Sequence, residues 1–510
     1  MTLAENLRSL VHFDPASPLL FTSGIFLPVF ALFLAGYMAL GRRTTAKLAW
    51  VCLFSAWFYW KSSGSYLALL LVSVLANHGI GLWLAAKPRF PKALLAAGVV
   101  LNLAPLAFFK YANFAIENAN AWFSTSRSPL ELFLPVGVSF FTFQGISYLV
   151  DIHRGKANPA RNLLEFSFYQ TFFPHLVAGP IVRAASFLPQ IAQPQAFTSL
   201  SEADDDDAHK LSGNLRRISV DAGLWLILKG LAKKAILADG LAQYSDLVFG
   251  NTAGYGGIEA LMAAWSYTLQ IYGDFSGYTD MAIGISLLLG YRLGDNFRSP
   301  YVSLSITDFW RRWHISLSAW LRDYVYIPLG GNRKGPALQA TFLMATMLLG
   351  GLWHGASWKF VIWGGAHGIL LALHKVWLAT RSRHPLGRWM ERGSTGARAI
   401  AWILTFHLVA ALWILFRASS TEEAWSLFTG IATGWDWKVV LPFFHDRALV
   451  VALLVVGLAT HLWPATSKER LRALFARMPW ELKVLAFVAV VQGAMEVGAA
   501  HVQPFIYFQF

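Results

Sequence analysis

A single cysteine, Cys52, stands among 510 residues. One thiol excludes an intramolecular disulfide framework and any metal site built from cysteines. Charge is scarce as well: 14% of residues are charged, where soluble domains carry about a quarter. Acidic residues are the scarcer sign, 28 against 42 basic ones, which leaves a formal charge of +14. In a soluble chain that excess would point to nucleic acid. Here no nucleic-acid partner is expected, because basic cytoplasmic loops beside an anionic leaflet account for it. No cleavable leader is expected either, since the first apolar run leads straight into others without a small-residue cleavage site. The runs share no repeated motif that would mark two homologous halves.

What is abundant is apolar: 56% hydrophobic residues, with 22 Trp and 38 Phe, and a mean hydropathy of +0.46. Apolar runs lie near 21–40, 46–60, 65–86, 92–109, 129–152, 162–182, 218–240, 258–290, 337–354, 358–378, 399–418, 448–464 and 481–501. They predict an all-α, polytopic membrane protein with about eleven to fourteen transmembrane or re-entrant helices. Run 46–60 is short, and 258–290 is long enough for a bent or split helix. Residues 1–510 are expected to form one membrane-embedded domain, with a polar segment at 1–18 and the core motifs within 258–378. Basic residues alternate between loops: Arg42, Arg43 and Lys47 follow the first run, and 381–398 carries five arginines. This places the first loop in the cytoplasm and both termini outside. Residues 183–217, which mix Asp204–Asp207 with Lys210, Arg216 and Arg217, break the alternation and suggest in-plane or re-entrant pieces.

Ionisable groups in hydrocarbon are costly and mark cavities, partners or substrate paths. Three segments concentrate them. The first, Tyr272-Gly-Asp-Phe-Ser-Gly-Tyr-Thr-Asp280, reads as a hydrogen-bonded joint of a broken helix, or as a joint that also lines a tunnel. Proton chemistry by Asp274 or Asp280 is a further reading, and Ser276 belongs to the same group. In the second, residues 307–323, a turn of about 100° per residue aligns Phe309, Trp310, Trp313, Leu317, Trp320, Leu321 and Tyr324 in one stripe. That predicts an amphipathic helix in the membrane plane with Arg311, Arg312 and Arg322 off the stripe and His314 at its edge. The third, GGLWHGASWKFVIWGGAHG from Gly350 to Gly368, sets His354 among glycines 350, 351 and 355. Glycine removes bulk, so the space there is expected to admit something other than a side chain. His367 and His374 read as packed histidines with both nitrogens satisfied.

FWRRWHISLSAWLRDYVYIPLGGNR, YGDFSGYTDMAIG, LPVGVSFFTFQGISYLVDIHRG and GGLWHGASWKFVIWGGAHG together resemble the motifs of the membrane-bound O-acyltransferases. The likeness is greatest to the branch that acetylates bacterial alginate. It runs from Phe21 to the terminal Pro504–Phe510. The 1–18 segment and the Asp204–Asp207 insertion depart from the pattern without touching the motifs. The resemblance implies that His354, of the Trp-His-Gly motif, is the essential catalytic residue and that His314 is the second polar residue of the same centre. It implies a ring of helices around a central tunnel, for which Asp274, Ser276, Asp280, Trp313, Trp353 and Asp323 are lining or core candidates. It further implies transfer of an acetyl group from a cytoplasmic donor, acetyl-CoA, to periplasmic acceptor proteins and an exopolysaccharide such as alginate.

The chemistry suits that role. Attack of a hydroxyl on a thioester needs the hydroxyl proton removed, which neutral imidazole does near physiological pH. His314 is the candidate donor to the developing oxyanion, although an acetyl-histidine intermediate is an alternative course. Arg311 and Arg312 are candidates for an anionic donor, with lipid phosphate an equal explanation. No metal or bound organic cofactor is required. D-alanyl transfer by the same fold is the sister activity, and a transporter or flippase is the rival class. The shared centre requires membrane-thinning funnels that bring the histidines together. More than about 15 Å between the imidazoles would exclude it, being beyond reach even through one water.

Overall fold

The computed structural model describes residues 12–14, 19–192 and 220–497. Most of the polar 1–18 segment, the Asp204–Asp207 insertion and the terminal 504–510 motif therefore lie outside the described residues. Among the described residues every regular element is helical. Five helices are long and apolar enough to cross a membrane: Thr44–Ala85, Pro91–Phe123, Pro336–His354, Trp358–Arg383 and Thr395–Arg417. Trp437–Asp446 and Ala448–Leu462, bent by 85°, make a sixth if taken as one span. Other apolar runs fold as shorter or interrupted pieces. Run 21–40 becomes Phe26–Ala39, and 162–182 is divided into Leu163–Thr171 and Phe173–Leu176. Run 258–290 differs from expectation, because Gly257–Leu288 is one helix without a break.

The chain divides into two compact units. The first comprises residues 1–227 and 278–294. Its helices meet through a buried amide pair. Asn77 Nδ2 donates to Asn102 Oδ1 at 3.0 Å, and Asn102 Nδ2 returns a bond to Asn77 Oδ1 at 2.7 Å. Both residues are buried, and the reciprocal bonds remove the penalty of leaving amides unpaired among apolar helices. Gly145 lets the Val138–His153 helix lie against this pair, since a Cβ there would overlap Asn102 Oδ1.

The second unit comprises residues 228–277 and 295–510 and holds both His314 and His354. Its core is a block of rings: Tyr267, Phe309, Trp313, Trp363, Trp413 and Phe416 are each 1% exposed or less. Trp413 stacks on Trp363 at 5.7 Å between centroids and lies 4.9 Å from Trp313. Large rings bury area at small entropic cost, which makes this block a rigid base for whatever it supports.

Candidate functional site

The stretch expected as one amphipathic helix is two seven-residue helices, Ile306–Arg312 and Ile315–Leu321. The first opens on Ser305, whose hydroxyl caps the Asp308 N–H, and closes with Arg312 Nε held by Asp308 at 2.9 Å. The chain then turns out of the helix. Trp313 is extended and His314 is left-handed, with φ +42°. A non-glycine residue in that region costs about 1–2 kcal/mol, so something must hold it. Asn296 does. Its carbonyl accepts the Ile315 N–H at 2.9 Å, and its side-chain Oδ1 accepts the Ser316 N–H at 3.2 Å and meets His314 Nδ1 at 3.2 Å. The second helix is thus capped from a separate loop. The stripe of rings faces the interior of the unit: Phe309, Trp313, Leu317, Trp320 and Leu321 are buried, and His314 is wholly so. The single helix is therefore replaced by a broken pair whose rings pack into the core.

The Pro336–His354 helix starts with Gly335 at φ +88° followed by Pro336 at its first position, and stops when Gly355 becomes extended. His354 is its last residue, 3% exposed. The glycines around it are filled by the protein, contrary to expectation. A Cβ on Gly351 would overlap the Phe360 carbonyl, and one on Gly364 the Met347 carbonyl. Gly355 abuts the Phe360 ring, and Gly350 lies near Leu321. These glycines press the Pro336–His354 and Trp358–Thr380 helices together and leave His354 at the corner. Gly364→Ala is therefore expected to overpack the contact and destabilise the protein by about 1–3 kcal/mol. A lower unfolding midpoint in detergent, with expression retained, checks this; an unchanged midpoint contradicts it.

One indole joins the two motifs. Trp353, 4% exposed, meets the His314 ring edge-on at 5.9 Å and the His354 ring at 5.0 Å. Those distances together cap the separation of the imidazole centroids at about 10.9 Å. Trp363 and Phe416 close the other sides of His354, each at 5.2 Å and steeply inclined. Phe275, at 4.7 Å, and Phe297 flank His314. Of the other histidines, His374 Nδ1 meets Thr307 Oγ1 at 2.7 Å. His367 takes a bond on Nδ1 from Trp310 Nε1 at 3.3 Å, while its Nε2 has no hydrogen-bond partner among the described residues. The expectation that both its nitrogens are satisfied is met for one only.

The remaining candidates fall elsewhere. Asp274 is buried and paired with Lys234 at 2.8 Å, and Lys234 also holds Asp239 at 2.6 Å. Ser276 accepts from Lys233 Nζ at 3.3 Å. Gly273 and Gly277 bring this part of the helix against residues 230–238, a Cβ on Gly277 lying 2.7 Å from the Gly230 carbonyl. The joint is thus between two segments, not within a broken helix. Asp280 is half-buried and belongs to the first unit. Asp323 forms an ion pair with the exposed Arg322 at 2.7 Å. Arg311 is exposed, whereas Arg312 is held by Asp308 and the Arg298 carbonyl. No group of three or more His, Cys, Asp or Glu suited to a metal ion occurs among the described residues. Sequence reasoning missed Asn296, Lys234 and Asp239. Lys233 and Lys234 did carry a signal, as two of the three lysines in the apolar run 218–240; Asn296 carried none.

Residues 157–416 match the profile of MBOAT, the membrane-bound O-acyltransferase family, a segment that contains both histidine motifs. The "Probable alginate O-acetylase" of Pseudomonas putida is 35% identical, covering 96% of this chain and 100% of that protein. The "Peptidoglycan O-acetyltransferase" of Helicobacter pylori is also 35% identical, over 83% and 82%. The "Teichoic acid D-alanyltransferase" of Bacillus subtilis is 25% identical, over 69% and 84%. With the five apolar helices, these likenesses establish that the chain is a membrane protein and an acyltransferase, a member of the membrane-bound O-acyltransferase family.

Proposed function

We propose that this protein carries acetyl groups from a cytoplasmic thioester, acetyl-CoA, across the bacterial inner membrane towards a polysaccharide on the periplasmic side. The observation that carries the reading is the placement of His314 and His354 both against the one indole of Trp353. His354 takes the proton of an attacking hydroxyl as the new C–O bond forms, and the thioester C–S bond then breaks, with the proton passing to the leaving sulfur. The surrounding rings exclude water, so the acyl group is not lost to hydrolysis. Acetyl is favoured over D-alanyl because the relatives named for O-acetyl transfer are 35% identical and the one named for D-alanyl transfer 25%. Acyltransferase membership leaves the transporter reading without an observation of its own.

Separate periplasmic proteins complete delivery to the polymer, because the polar stretches of the sequence are short. The exposed Arg311 is the candidate contact for the donor's phosphates, and both termini lie on the periplasmic side by the charge alternation. The test uses the full chain in proteoliposomes with acetyl-labelled CoA. Label is expected to reach a supplied polysaccharide only when a periplasmic extract is present. Polymer labelling by the purified protein alone, at the rate of the intact cell envelope, would remove the partners from the scheme. Transfer from an alanyl thioester but not from acetyl-CoA would replace acetyl by D-alanyl.

A further inference from the structure

We propose that Asn296 is a positioning residue that fixes His314 in one tautomer, with the proton on Nδ1 and a bare lone pair on Nε2. The inference rests on the reading of His314 as part of the centre, and it changes the role given to that residue. The orientation of the Asn296 amide follows from its partners. Ser316 N is a backbone N–H and can only donate, so the atom 3.2 Å from it is the amide oxygen. The same oxygen meets His314 Nδ1 at 3.2 Å. An oxygen with no proton can only accept, so Nδ1 carries the hydrogen. In a neutral imidazole the other nitrogen is then an acceptor.

That other nitrogen is buried and has no hydrogen-bond partner among the described residues. Phe275, Phe297 and Trp353 surround the ring, and His314 itself is 0% exposed. A lone pair held without a partner in such a place is costly unless a ligand supplies the missing hydrogen. His314 Nε2 therefore accepts a hydrogen bond from an O–H or N–H of the reactants. While neutral, it cannot donate to a developing oxyanion, the role that the sequence suggested. The two short helices flanking His314 do not span a bilayer, and complete burial pushes its pKa down from the ordinary imidazole value. The elements packed on it bring few charges. Asp274, beside Phe275, is held by Lys234; Asp295, beside Asn296, is paired with Arg298; His354 lies beyond Trp353.

Two measurements test the tautomer. Asn296→Asp keeps both accepting positions but adds a negative charge beside Nδ1, which favours the imidazolium. Since the neutral ring is the working form, the acid limb of the pH–rate profile is expected to move up by about one unit or more. If His314 worked as a protonated donor, the same change would instead extend activity to higher pH and overturn the proposal. An unshifted profile would overturn it equally. Should the variant fold poorly, the wild-type protein answers through its histidine 15N spectrum, by subtraction of His314→Asn. Protonated Nδ1 with bare Nε2 is expected, and protonated Nε2 overturns the assignment. His314→Ala separates this proposal from the reading beneath it: wild-type transfer there removes His314 from the centre, whatever its tautomer.

Discussion

The His354→Ala protein is expected to reach the membrane at the wild-type level and to transfer acyl groups at least about a hundredfold more slowly, the lower end of what a positioned acid–base group supplies. The expectation comes from where the ring sits. His354 ends its helix, with three rings (Trp353, Trp363 and Phe416) edge-on to it at 5.0–5.2 Å. Such a pocket fixes the direction of both nitrogens, which a general base requires. Removing the imidazole also leaves a void beneath Trp353, so slow transfer alone would not separate chemistry from packing. His354→Gln fills most of that volume and keeps polar atoms there, but its amide has no basic nitrogen. Both variants are expected to lose transfer, with the Gln protein unfolding near the wild-type midpoint. Near-normal transfer by His354→Gln would return the histidine to a packing role.

The two histidines that meet on Trp353 could be named from sequence because each sits in a motif of unusual composition. His354 is flanked by glycine and indole, and His314 lies between an arginine pair and a serine run. What could not be seen was how they meet. Periodicity carries an uninterrupted helix from Thr307 to Asp323, since every stripe position is apolar at the right spacing. The interruption comes from Asn296, 18 residues before His314, whose backbone carbonyl takes the donor at 315 and whose side-chain oxygen takes the donor at 316. No local propensity records a bond made across that distance. The glycines misled in a similar way. Gly351 read as room for something other than a side chain, and it instead allows one backbone to lie against another, as Gly273, Gly277 and Gly364 also do. Glycine in a long apolar helix has both uses, and only the neighbouring element decides between them.

Lys234→Met is the change expected to cost most in stability, about 3–5 kcal/mol. The ammonium group stands 2.6 Å from Asp239 and 2.8 Å from Asp274, with side-chain exposures of 4%, 13% and 4% along the triad Lys234, Asp239 and Asp274. Deleting the cation takes the ammonium away from both carboxylates, and their mutual repulsion is no longer offset by it. Asp274→Asn should cost less, because Lys234 keeps Asp239 and the amide can still accept from its Nζ. In the double variant Lys234→Met/Asp274→Asn one of the repelling charges is gone, so part of the loss should return. Its stability is expected to exceed that of Lys234→Met alone, a non-additivity that only a direct interaction produces. Thermal unfolding of the four proteins in one detergent measures the cycle, and simple additivity would mean that the ion pair contributes nothing. The same set decides whether Asp274 belongs to a substrate path. If it does, Asp274→Asn loses transfer at an unchanged unfolding midpoint. If its work is to tie the Gly257–Leu288 helix to the Lys234 segment, activity falls only as far as stability does, and the geometry of the triad favours that outcome.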